Sequence, residues 1–171
     1  VAAVVLVASD QPTRLDTAGE GAERNELGLS IQRMEARGGP NGTSEVAVVF
    51  DAPLPLDEVP ITDTVESVDP DSLVAAIQDP GPGAVEVCGT KHWFPEVPEG
   101  SGSVDLLIPS GWLAGDPPAL PGVTPLEPAP DKIVVCGPYR GHVQVSIWGA
   151  APTSTEALDV TISDDRTRII V

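Results

Sequence analysis

Two cysteines and two histidines are the side chains of this sequence whose types and spacing come closest to a chemical site. Cys88 stands four residues before His92, and Cys136 stands six residues before His142. Both cysteines end a strand-like stretch and are followed by glycine, so they are expected at matching positions of two similar hairpins. In an oxidising compartment this placement predicts one disulfide, which closes a loop of roughly 50 residues and contributes about 3–4 kcal/mol in the loop-entropy model.

Two alternatives to the disulfide remain open at this point. The cysteines could be free thiols, buried as small apolar side chains. The cysteines and histidines together could also bind zinc tetrahedrally, although the familiar Cys-x2-Cys and His-x3-His spacings are absent. We favour the disulfide and expect no cofactor and no metal. The zinc set would be Cys88, His92, Cys136 and His142.

Aromatic side chains collect beside the first cysteine–histidine pair. The chain has three tryptophans, two phenylalanines and one tyrosine, yet Trp93 and Phe94 are neighbours in a stretch that should be a loop. Exposed aromatic rings beside polar groups can stack on sugar rings or anchor a protein partner. We favour the simpler interpretation that Trp93 folds back over the end of the core, as we expect for Trp112 and Trp148. The possible binding loops comprise Lys91, His92, Trp93, Phe94, Tyr139, Arg140 and His142.

Catalytic motifs are missing from the sequence. A hydrolase needs a nucleophile, a base and an orienting acid, and Ser110 and Ser146 are the candidate nucleophiles. Neither Gly-x-Ser-x-Gly nor His-Glu-x-x-His occurs. Acidic pairs such as Asp164 and Asp165 have a simpler role in turns. We therefore assign no catalytic residue and expect that the protein is not an enzyme.

Alternating apolar and polar residues predict the strands that must carry these loops. Residues 27–31 and 46–50 alternate on either side of a turn cluster at residues 38–42, which predicts a hairpin. Residues 158–162 alternate again, and residues 168–171 close the chain with another strand. In all, we expect about eight or nine short strands.

One helix is expected in the middle of the chain. After an edge strand near residues 62–68, Asp69 can cap a helix and Pro70 suits its first position. Apolar residues within 73–77 supply a stripe, and the Pro-Gly cluster at 79–82 ends the helix.

The second half of the chain contains a weak internal sequence similarity. Residues 85–89 and 133–137 each end in Cys-Gly, and each is followed by a strand pattern and a tryptophan, at 104–108 and 143–147 respectively. These units predict two comparable hairpins, although chance similarity remains an alternative to duplication. The proline-rich residues 116–131 between them are expected to be extended and on the surface.

Charge excludes some partners. The chain has 26 acidic and 9 basic residues, for a formal net charge of −17. Such a chain repels phosphate backbones, so nucleic acid is not an expected partner, and an anionic membrane surface is disfavoured for the same reason. The 19 prolines and 17 glycines favour short strands over long helices. The composition is typical of a GC-rich prokaryotic genome.

The amino-terminal residues bear on the compartment. Residues 1–7 form an uncharged apolar run that is shorter than the ~20 residues needed to span a bilayer. We interpret residues 1–8 as the end of a membrane anchor or signal segment, residues 9–26 as a polar linker, and residues 27–171 as a single domain. The alternative for the apolar run is an ordinary first β-strand.

Together these features predict a mostly β protein: a two-layer antiparallel β-sandwich of Ig-like architecture with one short helix. A partly open β-barrel is the alternative fold. We expect an extracytoplasmic, membrane-anchored or secreted envelope module that binds a protein partner or a cell-wall glycan without catalysis. The alternatives are an accessory subunit of a membrane protein complex and, last, a secreted hydrolase. No motif assigns the chain to a family, and the sequence does not indicate an oligomeric state.

Overall fold

Several expectations fall on parts of the chain that the structure does not describe. They are the anchor end at residues 1–8, the linker at 9–26, the extended segment at 116–131, and Phe94. The residues described by this computed structural model are 27–38, 44–78, 81, 83–93, 101–114, 132–152 and 158–171.

Most of the described residues lie in short strands, with one 3-10 turn at Ser110–Trp112. No helix in this part of the chain is long and apolar enough to cross a membrane. In chain order the strands are β1 (Ile31–Gly38), β2 (Ser44–Phe50), β3 (Ile61–Thr62), β4 (Val74–Gln78), β5 (Ala84–Val87), β6 (Thr90–Trp93), β7 (Ser101–Pro109), β8 (Lys132–Tyr139), β9 (His142–Pro152), β10 (Thr161–Ile162) and β11 (Arg168–Ile170).

The described strands form three sheets, none of which closes into a barrel. One sheet has four strands in the order β1-β2-β11-β10, and a second has five in the order β3-β4-β7-β9-β8. The third sheet is the β5–β6 hairpin. Pairing is antiparallel except between β3 and β4, which are parallel. The fold is therefore mostly β and sandwich-like, and the barrel alternative is not supported.

Alternation of polar and apolar residues at positions 103–106 of β7 gives this part of the five-stranded sheet two faces of different chemistry. Val104, Leu106 and Ile108 are buried in the core that this sheet shares with the four-stranded sheet. Burial of each such side chain stabilises the fold by about 1.5–3 kcal/mol, so these residues determine which face points inward. Ser103 and Asp105 alternate with them and lie on the opposite side, which we call the outer face.

The predicted helix beginning at Asp69 is wrong. Val74–Gln78 is strand β4, which pairs with β7. Asp69 instead organises a turn: its carboxylate accepts the Asp71 amide hydrogen at 3.1 Å, and its carbonyl accepts that of Ser72 at 3.0 Å. Four of the five residues of β4 are buried, so the strand is a continuous apolar run. Pattern alone cannot distinguish such a run from a buried helix.

The hairpins predicted near both ends of the described chain are present, but the first strand, expected at residues 27–31, lies at Ile31–Gly38. β1 pairs with β2, and β10 pairs with β11. β11 also pairs with β2, where Val46 and Val171 exchange two backbone hydrogen bonds of 2.9 Å. The closing strand therefore completes the sheet that the opening hairpin begins. The edge strand expected near residues 62–68 is shorter and begins earlier, at β3.

The two Cys-Gly sites are not structurally equivalent. Cys88 and Gly89 form the two-residue turn between β5 and β6, with φ of 53° and 71°. Positive φ at both residues is the type I′ geometry of tight hairpins. Cys136 and Gly137 lie instead within β8, at a register shift against β9. The internal sequence similarity therefore does not correspond to two comparable hairpins.

Candidate functional site

The β5–β6 hairpin packs on the outer face of the five-stranded sheet as a third, small layer. Val85 and Val87 of β5 are buried against Val134 and Trp148 of the sheet. This cluster is separate from the main core, and the partly buried Cys136 packs against it. The hairpin is thus an additional layer with its own apolar contact, where the sequence predicted only two layers.

A disulfide joins the tip of the hairpin to β8, the edge strand of the five-stranded sheet. Cys88 and Cys136 are bonded, with Cα atoms 5.2 Å apart and a sequence separation of 48. This confirms the predicted disulfide. Because both sulfurs are committed to it, the zinc alternative loses its thiolate ligands. Among the described residues, no group of three or more potential metal ligands occurs.

Two buried serines of the outer face also hold the hairpin. The backbone amide of Glu86 donates to Ser103 Oγ at 3.2 Å, and that of Cys88 donates to Ser146 Oγ at 3.1 Å. Glu86 and Cys88 are two residues apart, so their amides point to the same side of the strand and meet serines on two different strands. These hydrogen bonds give partners to two backbone amides that would otherwise be buried without one.

A buried carboxyl, Asp105, lies at the centre of this polar layer. Ser146 Oγ donates to its Oδ1 at 2.5 Å, and Gln78 Nε2 donates to its Oδ2 at 3.4 Å. Burial away from water raises the pKa of Asp105, and the negative charge of Glu86 acts in the same direction. Hydrogen bonds from Ser146 and Gln144 lower the pKa and only partly offset that effect. Asp105 therefore keeps its proton to a higher pH than an exposed aspartate does.

The sequence pattern indicates Ser146 only as a possible nucleophile and does not indicate Asp105. The signal available was the alternation of polar with apolar residues at positions 103–106 of β7 and 142–147 of β9. That alternation usually indicates a solvated sheet face. Here Asp105, Gln144 and Ser146 are buried instead, because the β5–β6 hairpin covers the face.

Trp93 is the most exposed of the large apolar side chains in the described part of the chain. It is the last residue of β6 and is 66% exposed, so the expectation that it folds back over the core is wrong. Lys91 lies on the same face of β6, with Nζ 4.5 Å from the centre of the Trp93 ring. Of the predicted binding residues, the structure therefore brings Lys91 and Trp93 together. His92 lies between them in sequence and is half-buried.

The other predicted binding residues lie at the β8–β9 turn. Arg140 stacks 5.3 Å from the centre of the Tyr139 ring, and Tyr139 is 36% exposed. His142 is fully buried, with Nε2 2.9 Å from the carbonyl of Ser72 and Nδ1 3.2 Å from that of Arg140. His142 therefore ties the turn to the segment before β4 and is not a surface ligand.

His142 does not join the candidate nucleophiles in a Ser–His–acid relay. Ser146 contacts Asp105, whereas both ring nitrogens of His142 face backbone carbonyls. Ser110 lies on the 3-10 turn after β7, where its amide bonds to the carbonyl of Gly141. A Ser–Asp pair alone lacks the base that activates a serine hydroxyl.

The candidate site is thus an exposed cation–aromatic pair on a hairpin that a disulfide, two serines and a small apolar cluster fasten to the sheet. No protein-family model, curated protein or solved structure matches the chain.

Proposed function

We propose that this chain is a non-catalytic extracytoplasmic envelope module that binds a cell-wall glycan or a protein partner through the β5–β6 hairpin. The observation that carries the proposal is Trp93, a large aromatic side chain that is 66% exposed on a hairpin covalently joined to the sheet. A ring on an anchored support loses little conformational freedom on binding, which favours affinity.

The surroundings of Trp93 favour the glycan among these partners. Aromatic anchors of protein interfaces are usually ringed by contacts that exclude water. The described neighbours of Trp93 along β6 are Thr90, Lys91 and His92, which are polar. A flat ring beside polar groups suits a sugar, whose C–H face stacks on the ring while its hydroxyls are hydrogen-bonded.

Lys91 adds a charge to this surface. It makes no ion pair with a carboxylate in the described part of a chain whose net charge is −17. Its ammonium group is therefore available to an acidic group of the ligand, such as a carboxylate on a cell-wall glycan.

The disulfide supports the extracytoplasmic location, because such bonds persist in oxidising compartments. Attachment to a membrane through the amino-terminal residues is part of the proposal, as is the Ig-like architecture of the two larger sheets. The support for that architecture is their largely antiparallel pairing around a shared core.

Co-sedimentation with purified, insoluble cell-wall glycan tests the proposed function. We expect the natural protein to bind, and Trp93→Ala to weaken binding at least about tenfold, as removal of an aromatic anchor does. Tyr139→Ala is the matched control, because it removes the partly exposed aromatic ring that contacts Arg140 at the β8–β9 turn. Equal binding by Trp93→Ala and the natural protein would contradict the assignment of the site.

A further inference from the structure

We propose that Cys88–Cys136 is a thiol–disulfide exchange site, in which an external dithiol attacks Cys88 and Ser146 relays a proton from Asp105 to the departing sulfur of Cys136. This inference is independent of glycan binding. It rests on the different surroundings of the two cysteines and on a chain of polar contacts that ends at one of them.

The surroundings determine which sulfur is attacked. Cys88 is exposed at the tip of the β5–β6 turn, whereas Cys136 is half-buried within β8. A Cβ placed on the adjacent Gly89 would meet no described atom within 4 Å, so the turn is open to a reagent. Attack of a thiolate requires access, so Cys88 receives the reagent and Cys136 leaves.

The leaving sulfur has a proton source in contact with it. Cys136 Sγ lies 3.3 Å from Ser146 Oγ, which lies 2.5 Å from Asp105 Oδ1. When Asp105 carries a proton, its carboxyl group can donate to Ser146, and the serine hydroxyl can then donate to the sulfur. The Cys88 amide holds the serine oxygen in place.

The groups around Asp105 favour its protonated form. Burial raises the pKa of Asp105, and the carboxylate of Glu86 on β5 acts in the same direction. From β4 Asp105 faces the amide of Gln78, and from β9 it faces Gln144 and Ser146. Among the described groups that act on the pKa of Asp105, none is a cation. The proton is therefore retained to a higher pH than on an exposed aspartate.

The exchange consists of two successive thiolate attacks. The reagent thiolate forms a bond to Cys88 Sγ, the Cys88–Cys136 bond breaks, and its electron pair goes to Cys136. Cys136 takes the hydroxyl proton of Ser146, which takes the carboxyl proton of Asp105. The second thiol of the reagent loses its proton to solvent and attacks the reagent's own sulfur in the mixed disulfide. Cys88 then leaves as a thiolate, and the dithiol is released as a disulfide; solvent returns a proton to Asp105.

Reduction kinetics test the relay. The oxidised protein is treated with dithiothreitol over a range of pH, and the released thiols are alkylated and counted by intact mass. Rates are expressed per dithiothreitol thiolate. Ser146→Ala is compared with Ser103→Ala, because each serine accepts one amide hydrogen bond from the hairpin but only Ser146 contacts a sulfur. Asp105→Asn removes the proton while keeping the size of the side chain.

We expect Ser146→Ala to be reduced about three- to tenfold more slowly than Ser103→Ala, as for loss of assistance to a leaving thiol. We also expect the rate of the natural protein to fall as pH rises through the titration of Asp105, and the rate of Asp105→Asn not to fall. Equal rates for the two serine variants would overturn the proposal. That comparison decides the matter even if Asp105→Asn does not fold.

The position of the mixed disulfide is a second test. Treatment with 2-mercaptoethanol, a monothiol, followed by alkylation and peptide mass mapping, should place the reagent on Cys88 and the alkyl group on Cys136. The reverse arrangement would overturn the assignment of Cys136 as the leaving sulfur. A cystine that is reduced only after denaturation would overturn the exchange site itself.

Discussion

Ser146 donates a 2.5 Å hydrogen bond to Asp105 in the layer between the five-stranded sheet and the β5–β6 hairpin. The same serine oxygen accepts the amide hydrogen of Cys88, so one residue connects a buried carboxyl group, the hairpin and the disulfide. Changes to the carboxyl group, the disulfide or the turns should therefore have distinct and separable effects.

As pH rises above about 4, the free energy of unfolding of Asp105→Asn should increase relative to that of the natural protein. The raised pKa means that the folded protein binds this proton more tightly than the unfolded chain does. Its contribution to stability is therefore full below the unfolded pKa and declines as pH rises toward the folded one. Urea unfolding of both proteins at several pH values measures the difference. A difference that does not change with pH would contradict the prediction.

Replacing both cysteines by serine should release the hairpin and leave the two larger sheets folded. The loop-entropy model gives a loss of about 3–4 kcal/mol in the free energy of unfolding. Hydrogen exchange followed by mass spectrometry should show faster exchange in β5 and β6, with β7 and β9 still protected. Equal loss of protection in β7 would show that the hairpin is not a separate layer.

Alanine at Gly141 should cost more stability than alanine at Gly89. Both glycines are the second residue of a two-residue turn, with φ of 84° and 71°. Left-handed backbone costs an alanine about 1–2 kcal/mol at either site. At Gly141 the new Cβ would also lie 3.0 Å from Cβ of Pro70, whereas at Gly89 it meets no described atom. Overpacking should add about 1 kcal/mol at Gly141, and equal unfolding free energies would exclude that contact.

His142→Ala should lower the free energy of unfolding by about 2–4 kcal/mol, because it removes the hydrogen bond that the ring N–H donates to a backbone carbonyl and leaves a cavity. Tyr139→Ala at the same turn should cost less than about 1 kcal/mol, since its side chain is partly solvated. Urea denaturation of the two variants makes the comparison. A cost at His142 no larger than that at Tyr139 would mean that the histidine does not fasten the turn.

The strands that alternate strictly were predictable from the sequence, and so was the disulfide. In β2, Val46, Val48 and Phe50 face the main core at every second position, which is the period of two that marks a strand, although Ala47 and Val49 are buried as well. β4 is covered on both faces, and its run from Val74 to Ile77 lost that period. The cap-like Asp69 then favoured a helix, although in the structure it organises a turn.

The candidate site was only partly predictable. Lys91 and Trp93 were identified because aromatic residues are few in this chain. The buried polar layer around Asp105 could not be predicted from the sequence, because its burial depends on where the β5–β6 hairpin packs. The strand that ends at Cys88 was predicted to form a hairpin with the strand at residues 104–108, which is part of β7. The structure pairs it with Thr90–Trp93.

The most direct test of the binding surface is the indole N–H resonance of Trp93 in a 1H–15N spectrum, recorded while soluble cell-wall glycan fragments are added. The three tryptophans should give three such signals. Trp93 is exposed, Trp112 is half-buried and Trp148 is buried. A shift of the Trp93 signal alone, with saturation, is the predicted result. An unmoved Trp93 signal at saturating glycan, or movement of the Trp112 or Trp148 signal instead, would contradict binding through the β5–β6 hairpin.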